Sequence, residues 1–385
     1  MTIKIMVVFG TRPEAIKMAP ICHLIKDDKK FFKSVICLTG QHREMLDQVM
    51  KTFNLTADID LNIMKKKQDL TSINSLILVK MNEVLKKIKP DMVLVHGDTT
   101  TAFATSLACF YNNILVAHVE AGLRTNNISS PYPEEFNRQM VSKIADIHFA
   151  PTYRNVNNLL LEGIKKNKIL LTGNTVIDSL YWIIKSINNN KSKKRRLTNN
   201  LLKKLTFNFE KNKFVLITGH RRENFGPGLI QICKAIKILA KKHSDIHFIY
   251  PLHMNPSVQV PVKKSLGNIH NVHLIKPLEY ETFILLLYNC YFVLTDSGGI
   301  QEEAPSLGKP VLVMRETTER PEAIIAGTVK LVGTDTKSIV KNSNKLINNK
   351  KFYNSMTEKN NPYGKGNSSI KIINYVKKYF NGNKK

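Results

Sequence analysis

The stretch Asp91–Arg138, DMVLVHGDTTTAFATSLACFYNNILVAHVEAGLRTNNISSPYPEEFNR, decides the fold. Two short apolar runs in it, Met92–Val95 and Ile114–Ala117, read as buried parallel strands with a helix between them. Each run leads to an acidic residue among small ones. Asp98 lies in Gly97-Asp98-Thr99-Thr100, and Glu120 in His118-Val119-Glu120-Ala121-Gly122. A further pair, Glu134-Glu135, follows Pro131 and Pro133 in an expected loop. Open α/β folds place their chemistry just beyond the carboxyl ends of buried strands. A purely structural alternative exists for each residue: Asp98 capping the next helix, Glu120 pairing with Arg124. Three such positions in one stretch favour a site.

Working outward, Ile3–Phe9 is a strand, and Gly10-Thr11-Arg12-Pro13-Glu14 opens a helix. Thr11 and Glu14 have capping-box spacing, and Pro13 suits a first helical turn. A helix N-terminus with Arg12 beside it and Lys17 one turn on is also an anion site. Strands are expected at Val35–Leu38, Ala57–Ile63, Ile147–Ala150 and Ile169–Leu171, with a helix near Leu70–Ile88. This alternation implies a parallel, doubly wound sheet.

Trp182–Lys213 is polar, has no clear strand, and marks the passage to a second domain, with Lys191–Leu197 expected as an exposed segment. Strands then recur at Phe214–Thr218, Ile246–Tyr250, Val272–Ile275, Tyr291–Thr295 and Val311–Met314. Their exits carry Gly219-His220-Arg221, Asp296-Ser297-Gly298-Gly299 and Arg315–Pro321. Apolar spacing over Ser368–Phe380 predicts a C-terminal helix. The expected division is 1–173, 174–365 and 366–385. The fold class is α/β, with two doubly wound Rossmann-like domains whose carboxyl edges face across a cleft.

Composition narrows the function. The chain has 385 residues, 43% hydrophobic, enough for two cores. No apolar run reaches the length of a membrane span, and the N-terminus lacks a signal-peptide pattern. Five scattered cysteines without knuckle or redox spacing read as reduced core residues of a cytoplasmic protein. The eleven histidines show no metal-ligand spacing, and His270 and His273 are expected at the surface. The net charge of +28 raises nucleic-acid binding. However, the densest run, Lys191–Lys213, has nine basic residues, and its two aromatics, Phe207 and Phe209, stand together past the basic cluster Lys191–Lys204 and do not alternate with it to stack bases. Neither a nucleic acid nor a membrane is therefore expected as partner. A basic surface still helps to collect an anionic substrate.

In the second half, Asp296-Ser297-Gly298-Gly299 is the clearest phosphate site: glycines allow close approach, Ser297 offers a hydroxyl and the following helix offers free N–H groups. Glu302 or Glu303, one turn inside, is placed to accept ribose hydroxyls. No G-x-G-x-x-G follows a strand and no Walker motif occurs, so no bound dinucleotide, other cofactor or metal is expected.

The stretches FGTRPEAIKMAP (9–20), TGQHREMLDQV (39–49), HGDTTTAFA (96–104), HVEAGLRT (118–125), PYPEEFNR (131–138), TGHRREN (218–224), TDSGGIQEEAP (295–305) and RETTERPEA (315–323) closely resemble the non-hydrolysing UDP-N-acetylglucosamine 2-epimerases. The resemblance runs through nearly the whole chain in one order. It implies the glycosyltransferase-B fold, with the C-terminal helix crossing back onto the first domain, and a homodimer. It also implies interconversion of UDP-GlcNAc and UDP-ManNAc. Asp98, Glu120, Glu134 and His220 match the family's catalytic positions. Arg12, Lys17, Arg138, Phe283, Ser297, Gly298, Gly299, Glu303 and Arg320 match its substrate positions. Leu278 stands where relatives can carry glutamine, so a contact there would use the backbone. A hydrolysing epimerase releasing ManNAc, a UDP-sugar glycosyltransferase of the same fold, and a related sugar such as a 3-acetamido uronic acid derivative remain alternatives.

Overall fold

The computed structural model describes residues 2–40, 43–64, 68–219 and 221–382. They form two units, Met1–Ser179 with Tyr363–Lys385, and Leu180–Pro362. The first unit alternates strand and helix: β1 (Ile3–Phe9), α1 (Arg12–Asp27), β2 (Phe32–Leu38), α2 (Arg43–Thr52), β3 (Ile59–Asp60), α3 (Leu70–Ile88), β4 (Met92–His96), α4 (Thr100–Tyr111), β5 (Leu115–Val119), α5 (Glu134–Ile144), β6 (Ile147–Ala150), α6 (Tyr153–Leu161) and β7 (Ile169–Leu171). All strand pairs are parallel, in the order β3-β2-β1-β4-β5-β6-β7. The strands are short apolar runs because helices cover the sheet. One face packs Met6, Val8, Val93 and Val95 against Ile77, Met81 and Ala102 of α3 and α4. Burying each such side chain contributes about 1.5–3 kcal/mol, which penalises any slip in register.

Strand order reverses between β1 and β4, the switch point where open α/β sheets bind ligands. In the neighbouring pair, His96 stands opposite Val119, so Gly97-Asp98 and Glu120 leave the sheet side by side. The Gly97 N–H donates to the Val119 carbonyl at 2.9 Å, holding the two exits together.

The second unit follows α7 (Thr175–Asn189) and α8 (Lys191–Leu202) with β8 (Phe214–Thr218), α9 (Pro227–Lys242), β9 (His247–Pro251), α10 (Pro256–Leu266), β10 (Val272–Ile275), α11 (Tyr280–Asn289), β11 (Phe292–Thr295), α12 (Gly298–Ser306), β12 (Val311–Val313), α13 (Pro321–Ile325), β13 (Val329–Leu331), α14 (Thr336–Asn348) and α15 (Lys350–Thr357). Its parallel sheet, β10-β9-β8-β11-β12-β13, repeats the first topology, with the switch point between β8 and β11. The α/β class with two Rossmann-like units is as expected. A last helix, α16 (Ser368–Gly382), belongs to the first unit and packs on α1. Among the described residues no helix is long and apolar enough to cross a membrane.

Three local expectations need correction. The polar stretch after Trp182 is helical: Asn190 caps α8 by accepting from the Lys193 N–H, and Leu197 and Leu201 are buried on one face. The expected exposure of Lys191–Leu197 holds for its charged residues and fails at Leu197, which faces the core. His273 is buried rather than at the surface, because Phe207 stacks on His247 and His247 in turn hydrogen-bonds His273 at 3.0 Å. Strand β13 was not anticipated, since a three-residue edge strand carries almost no periodic signal.

Gly122, in the His118–Thr125 motif, is a packing requirement. Its φ is +88°, and a Cβ there would lie 2.3 Å from the Asn155 carbonyl oxygen. Gly122→Ala is expected to cost about 2 kcal/mol or more through the left-handed backbone and the clash. A thermal denaturation midpoint unchanged within a degree or so would contradict this packing.

Candidate active site

In the first unit the site begins at the β1 exit. Glu14 is buried, and its Oε2 accepts from the backbone N–H groups of Gly10 at 3.0 Å and Thr11 at 2.8 Å. The Thr99 hydroxyl donates to its Oε1 at 2.7 Å. One carboxylate therefore ties the Arg12 turn to the loop that carries Asp98. Burial raises the Glu14 pKa, although these hydrogen bonds pull the other way.

Both structural alternatives for Asp98 and Glu120 fail. Thr99, not Asp98, caps α4, accepting from the Ala102 N–H at 3.0 Å. Arg124 is taken by Glu162, at 2.5 and 2.8 Å, and by the Ser142 hydroxyl. Asp98 receives Arg138 Nη2 at 2.5 Å, and its carbonyl accepts from the Asn137 amide at 2.9 Å. The other guanidinium nitrogen, Arg138 Nη1, donates to Glu135 at 2.9 Å. Glu135 is fully buried and also accepts from the Thr125 and Asn126 N–H groups at 3.0 and 3.3 Å. Burial opposes its ionisation, but these donors outweigh it and the pKa is lowered. Glu135 thus organises the loop around it, and Glu134 is the half-buried first residue of α5.

Glu120 is the centre of the cluster. Its φ of 65° lies in the left-handed region, a conformation that costs a non-glycine residue on the order of 1–3 kcal/mol. Its Oε2 is salt-bridged to Lys17 and accepts from the Asn174 amide at 2.8 Å, with His96 Nε2 at 3.4 Å. Burial alone would raise its pKa. Lys17 and His96 overcome that and hold it well below the usual carboxylate range, so Glu120 is ionised. Lys17, expected at an anion site, is salt-bridged to Glu120 in this structure. Next door, His118 is buried and pushed down to about 3 by desolvation. Its neutral ring donates from Nε2 to the Gly97 carbonyl at 2.7 Å.

In the second unit the β8 and β11 exits are joined through Asp296. Its Oδ2 accepts from the Arg221 N–H at 2.9 Å and the Asn224 amide at 3.2 Å. His220 itself lies outside the described residues. The Tyr250 hydroxyl donates to the Gly219 carbonyl at 3.0 Å, and the Thr218 and Thr295 hydroxyls meet at 2.6 Å. Helix α12 starts at Gly298 behind Ser297, whose hydroxyl makes no capping bond. Arg320 lies over this N-terminus: a Cβ on Gly298 would stand 2.5 Å from Arg320 Nη1. Glu302 fixes the guanidinium by accepting from Arg320 Nε at 2.6 Å. A helix N-terminus, a glycine pair and a guanidinium in contact make an anion site. Glu303 is buried and accepts from the Tyr280 hydroxyl at 2.7 Å. Leu278 is buried and Phe283 half-buried, just before and within α11. Glu319 lies between Arg315 at 2.9 Å and Arg320 at 3.7 Å.

A family model described as UDP-N-acetylglucosamine 2-epimerase matches residues 25–377. The chain belongs to that family. It is 54% identical over 373 residues to the UDP-N-acetylglucosamine 2-epimerase of Campylobacter jejuni, with 97% of each chain covered. It is 50% identical over 374 residues to that of Escherichia coli K12, covering 97% of this chain and 98% of the relative. Among solved structures, the UDP-GlcNAc 2-epimerase from Neisseria meningitidis bound to UDP-GlcNAc matches with a TM-score of 0.90 at 49% identity, covering 98% of this chain and 100% of that one. The Methanocaldococcus jannaschii UDP-GlcNAc 2-epimerase in complex with UDP-GlcNAc and UDP matches at 0.81 and 31% identity, covering 97% of this chain and 99% of that one.

In the first unit Glu14, His96 and Asn174, and in the second unit Tyr280, carry these contacts without having been assigned to a site from the sequence. Glu14 had only its capping-box spacing with Thr11 as a signal, and His96 only its place at the head of the 96–104 stretch.

The Glu319 carboxyl gives a pH prediction. Burial raises its pKa, but Arg315 and Arg320 bring it down to about 2. Folded-state depression stabilises the protein above the ordinary value near 4.5, and that stabilisation is lost as pH falls toward 2. Glu319→Gln is expected to destabilise the protein by roughly 1–3 kcal/mol at pH 7, with the difference from the parent shrinking between pH 5 and 3. Urea denaturation across that range checks it, and a difference that stays constant down to pH 3 would contradict the assignment.

Proposed function

We propose that the protein interconverts UDP-GlcNAc and UDP-ManNAc by eliminating and re-adding UDP, without releasing free sugar. The observation that carries this reading is Glu120, held ionised on a strained backbone beside Asp98 at the first unit's switch point. The C2 hydrogen of the sugar is not acidic, because no carbonyl is adjacent to it. Inverting C2 therefore requires either oxidation at a neighbouring carbon or loss of the C1 substituent. No dinucleotide fingerprint occurs in the sequence, which favours the second route.

In that route a carboxylate takes the C2 proton as the C1–O bond breaks. The electron pair of the C2–H bond forms the C1=C2 double bond of 2-acetamidoglucal, and UDP departs with the C1–O pair. A proton then reaches C2 from the opposite face, and UDP adds back to C1. Two protonatable groups around C2 are needed, and Asp98, Glu120 and Glu134 supply the candidates. The charge developing on the diphosphate is met by Arg12, His220, Arg320 and the N–H groups following Ser297. Glu303 suits a ribose, with Leu278 and Phe283 on either side in sequence of Tyr280, whose hydroxyl donates to it. UDP-GlcNAc bound to the Neisseria relative supports the choice of ligand. The complete His118–Thr125 and Asp296–Glu303 motifs support the non-hydrolysing form over one that releases ManNAc. Five buried free cysteines support a cytoplasmic, reducing setting. The homodimer, and a role in supplying precursors for cell-surface polysaccharide, rest on family resemblance.

Incubation with UDP-GlcNAc alone in deuterated water tests substrate and reaction together. UDP-ManNAc carrying deuterium at C2 is expected, with Asp98→Asn and Glu120→Gln each lowering turnover at least about a thousandfold while still binding UDP. Retention of the original C2 hydrogen, or free ManNAc appearing in step with UDP, would contradict the proposal.

A further inference from the structure

We propose that Asn174 is a positioning residue for Glu120 and that the returning C-terminal segment, residues 363–369, holds it in that role. The inference rests on the reading above that Glu120 acts on the sugar. Asn174 is 2% exposed and sits just beyond β7, far in sequence from Glu120. Its orientation is fixed from both ends of the amide. Oδ1 accepts from the Val176 N–H at 3.0 Å, so the oxygen is committed to the start of α7 and the NH₂ must face the other way. There Nδ2 donates to Glu120 Oε2 at 2.8 Å. The amide cannot turn over without losing both bonds.

The backbone around Asn174 is fixed by the segment that comes back from the second unit's sequence. The Asn174 N–H donates to the Tyr363 carbonyl at 2.7 Å. Gly173 has φ +89°, and a Cβ on it would lie 2.6 Å from Ser368 Oγ, 3.0 Å from the Tyr363 oxygen and 3.3 Å from Gly364 Cα. Asp178, four residues on, accepts from the Ser368 and Ser369 N–H groups at 3.2 and 2.8 Å, fixing the start of α16. All these residues lie in the first unit. The amide that touches Glu120 is therefore clamped between α7 and residues 363–369.

The chemistry suits positioning and not proton transfer. An asparagine amide only donates here, so it favours the ionised carboxylate and fixes its rotamer. The charged or titratable groups facing Glu120 are Lys17 from α1 and His96 from β4, and Glu14 of α1 in turn interacts with His96. All three contacts to Glu120 fall on Oε2, which leaves Oε1 as the oxygen offered to substrate among the described residues. Removing this neutral amide donor weakens the preference for the ionised form without removing a charge.

The test compares Asn174→Ala and the near-isosteric Asn174→Asp in the full-length protein, with Glu120→Gln as control. Asn174→Ala is expected to lower kcat about 10- to 100-fold with KM for UDP-GlcNAc changed less than about threefold, and to move the acid limb of the kcat–pH profile to higher pH. Asn174→Asp keeps the acceptor for Val176 but sets a second carboxylate against Glu120, so its acid limb should move further in the same direction. Circular dichroism and the thermal midpoint check that each variant folds. If Asn174→Ala does not fold, the Asp variant decides. An acid limb unmoved in a folded variant, or kcat within about threefold of the parent, overturns the inference. If Glu120→Gln itself turns over normally, the catalytic reading of Glu120 fails instead. A dead Glu120→Gln with a normal Asn174→Ala sinks only the role given to Asn174.

Discussion

One buried carboxylate oxygen, Oε2 of Glu120, is the point on which the first unit converges. Lys17 reaches it from the helix after β1, His96 from the end of β4, and Asn174 from beyond β7. Each donor comes from a different strand–helix unit of the same parallel sheet. A buried carboxylate without partners would cost several kcal/mol or simply protonate, and breaking a buried pair by removing one member is strongly destabilising. Glu120 also holds a left-handed backbone conformation at φ 65° that the sequence around it must sustain. The apolar strands set the register, and the register delivers the three donors. The fold and the charge state of this residue are therefore one problem and not two.

The second unit solves a related problem with backbone groups. Asp296 gathers the Arg221 N–H and the Asn224 amide, which ties the loop after β8 to the glycine pair after β11. Arg320 rests against Gly298 so closely that a Cβ there would stand 2.5 Å from its Nη1 and push the guanidinium aside. The two units share a strand order, and each gathers its polar residues at its own switch point. One collects carboxylates with controlled ionisation, and the other collects N–H groups and a guanidinium. An elimination needs both kinds of group: a place for a proton to go and a place for a departing diphosphate to be stabilised.

Much of this was legible because the informative signals are local. Buried parallel strands read as apolar runs, and small or charged residues at their exits stand out against them, as with Gly97-Asp98 and Ser297-Gly298-Gly299. Partners distant along the chain were not legible. Lys17 and Glu120 are 103 residues apart, and Asn174 and Glu120 are 54 apart. Nothing in the sequence around Lys17 says that it meets a carboxylate and not a phosphate. Asn174 was read only as part of a domain boundary, because its role depends on where Tyr363 returns. Helix α8 was hidden for another reason: a basic face dominates its hydropathy, while Leu197 and Leu201 alone mark the buried side.

The central claim is that epimerisation proceeds through cleavage of the sugar–diphosphate bond, with the carboxylates of the first unit handling the C2 proton. Positional isotope exchange addresses it most directly. UDP-GlcNAc is prepared with ¹⁸O in the bridge between C1 and the β-phosphorus, and the position of the label is followed in recovered nucleotide sugar. Elimination frees the β-phosphate to rotate, so the label is expected to spread into non-bridging positions as the epimer forms. Epimer formed with the label still wholly in the bridge would contradict the claim.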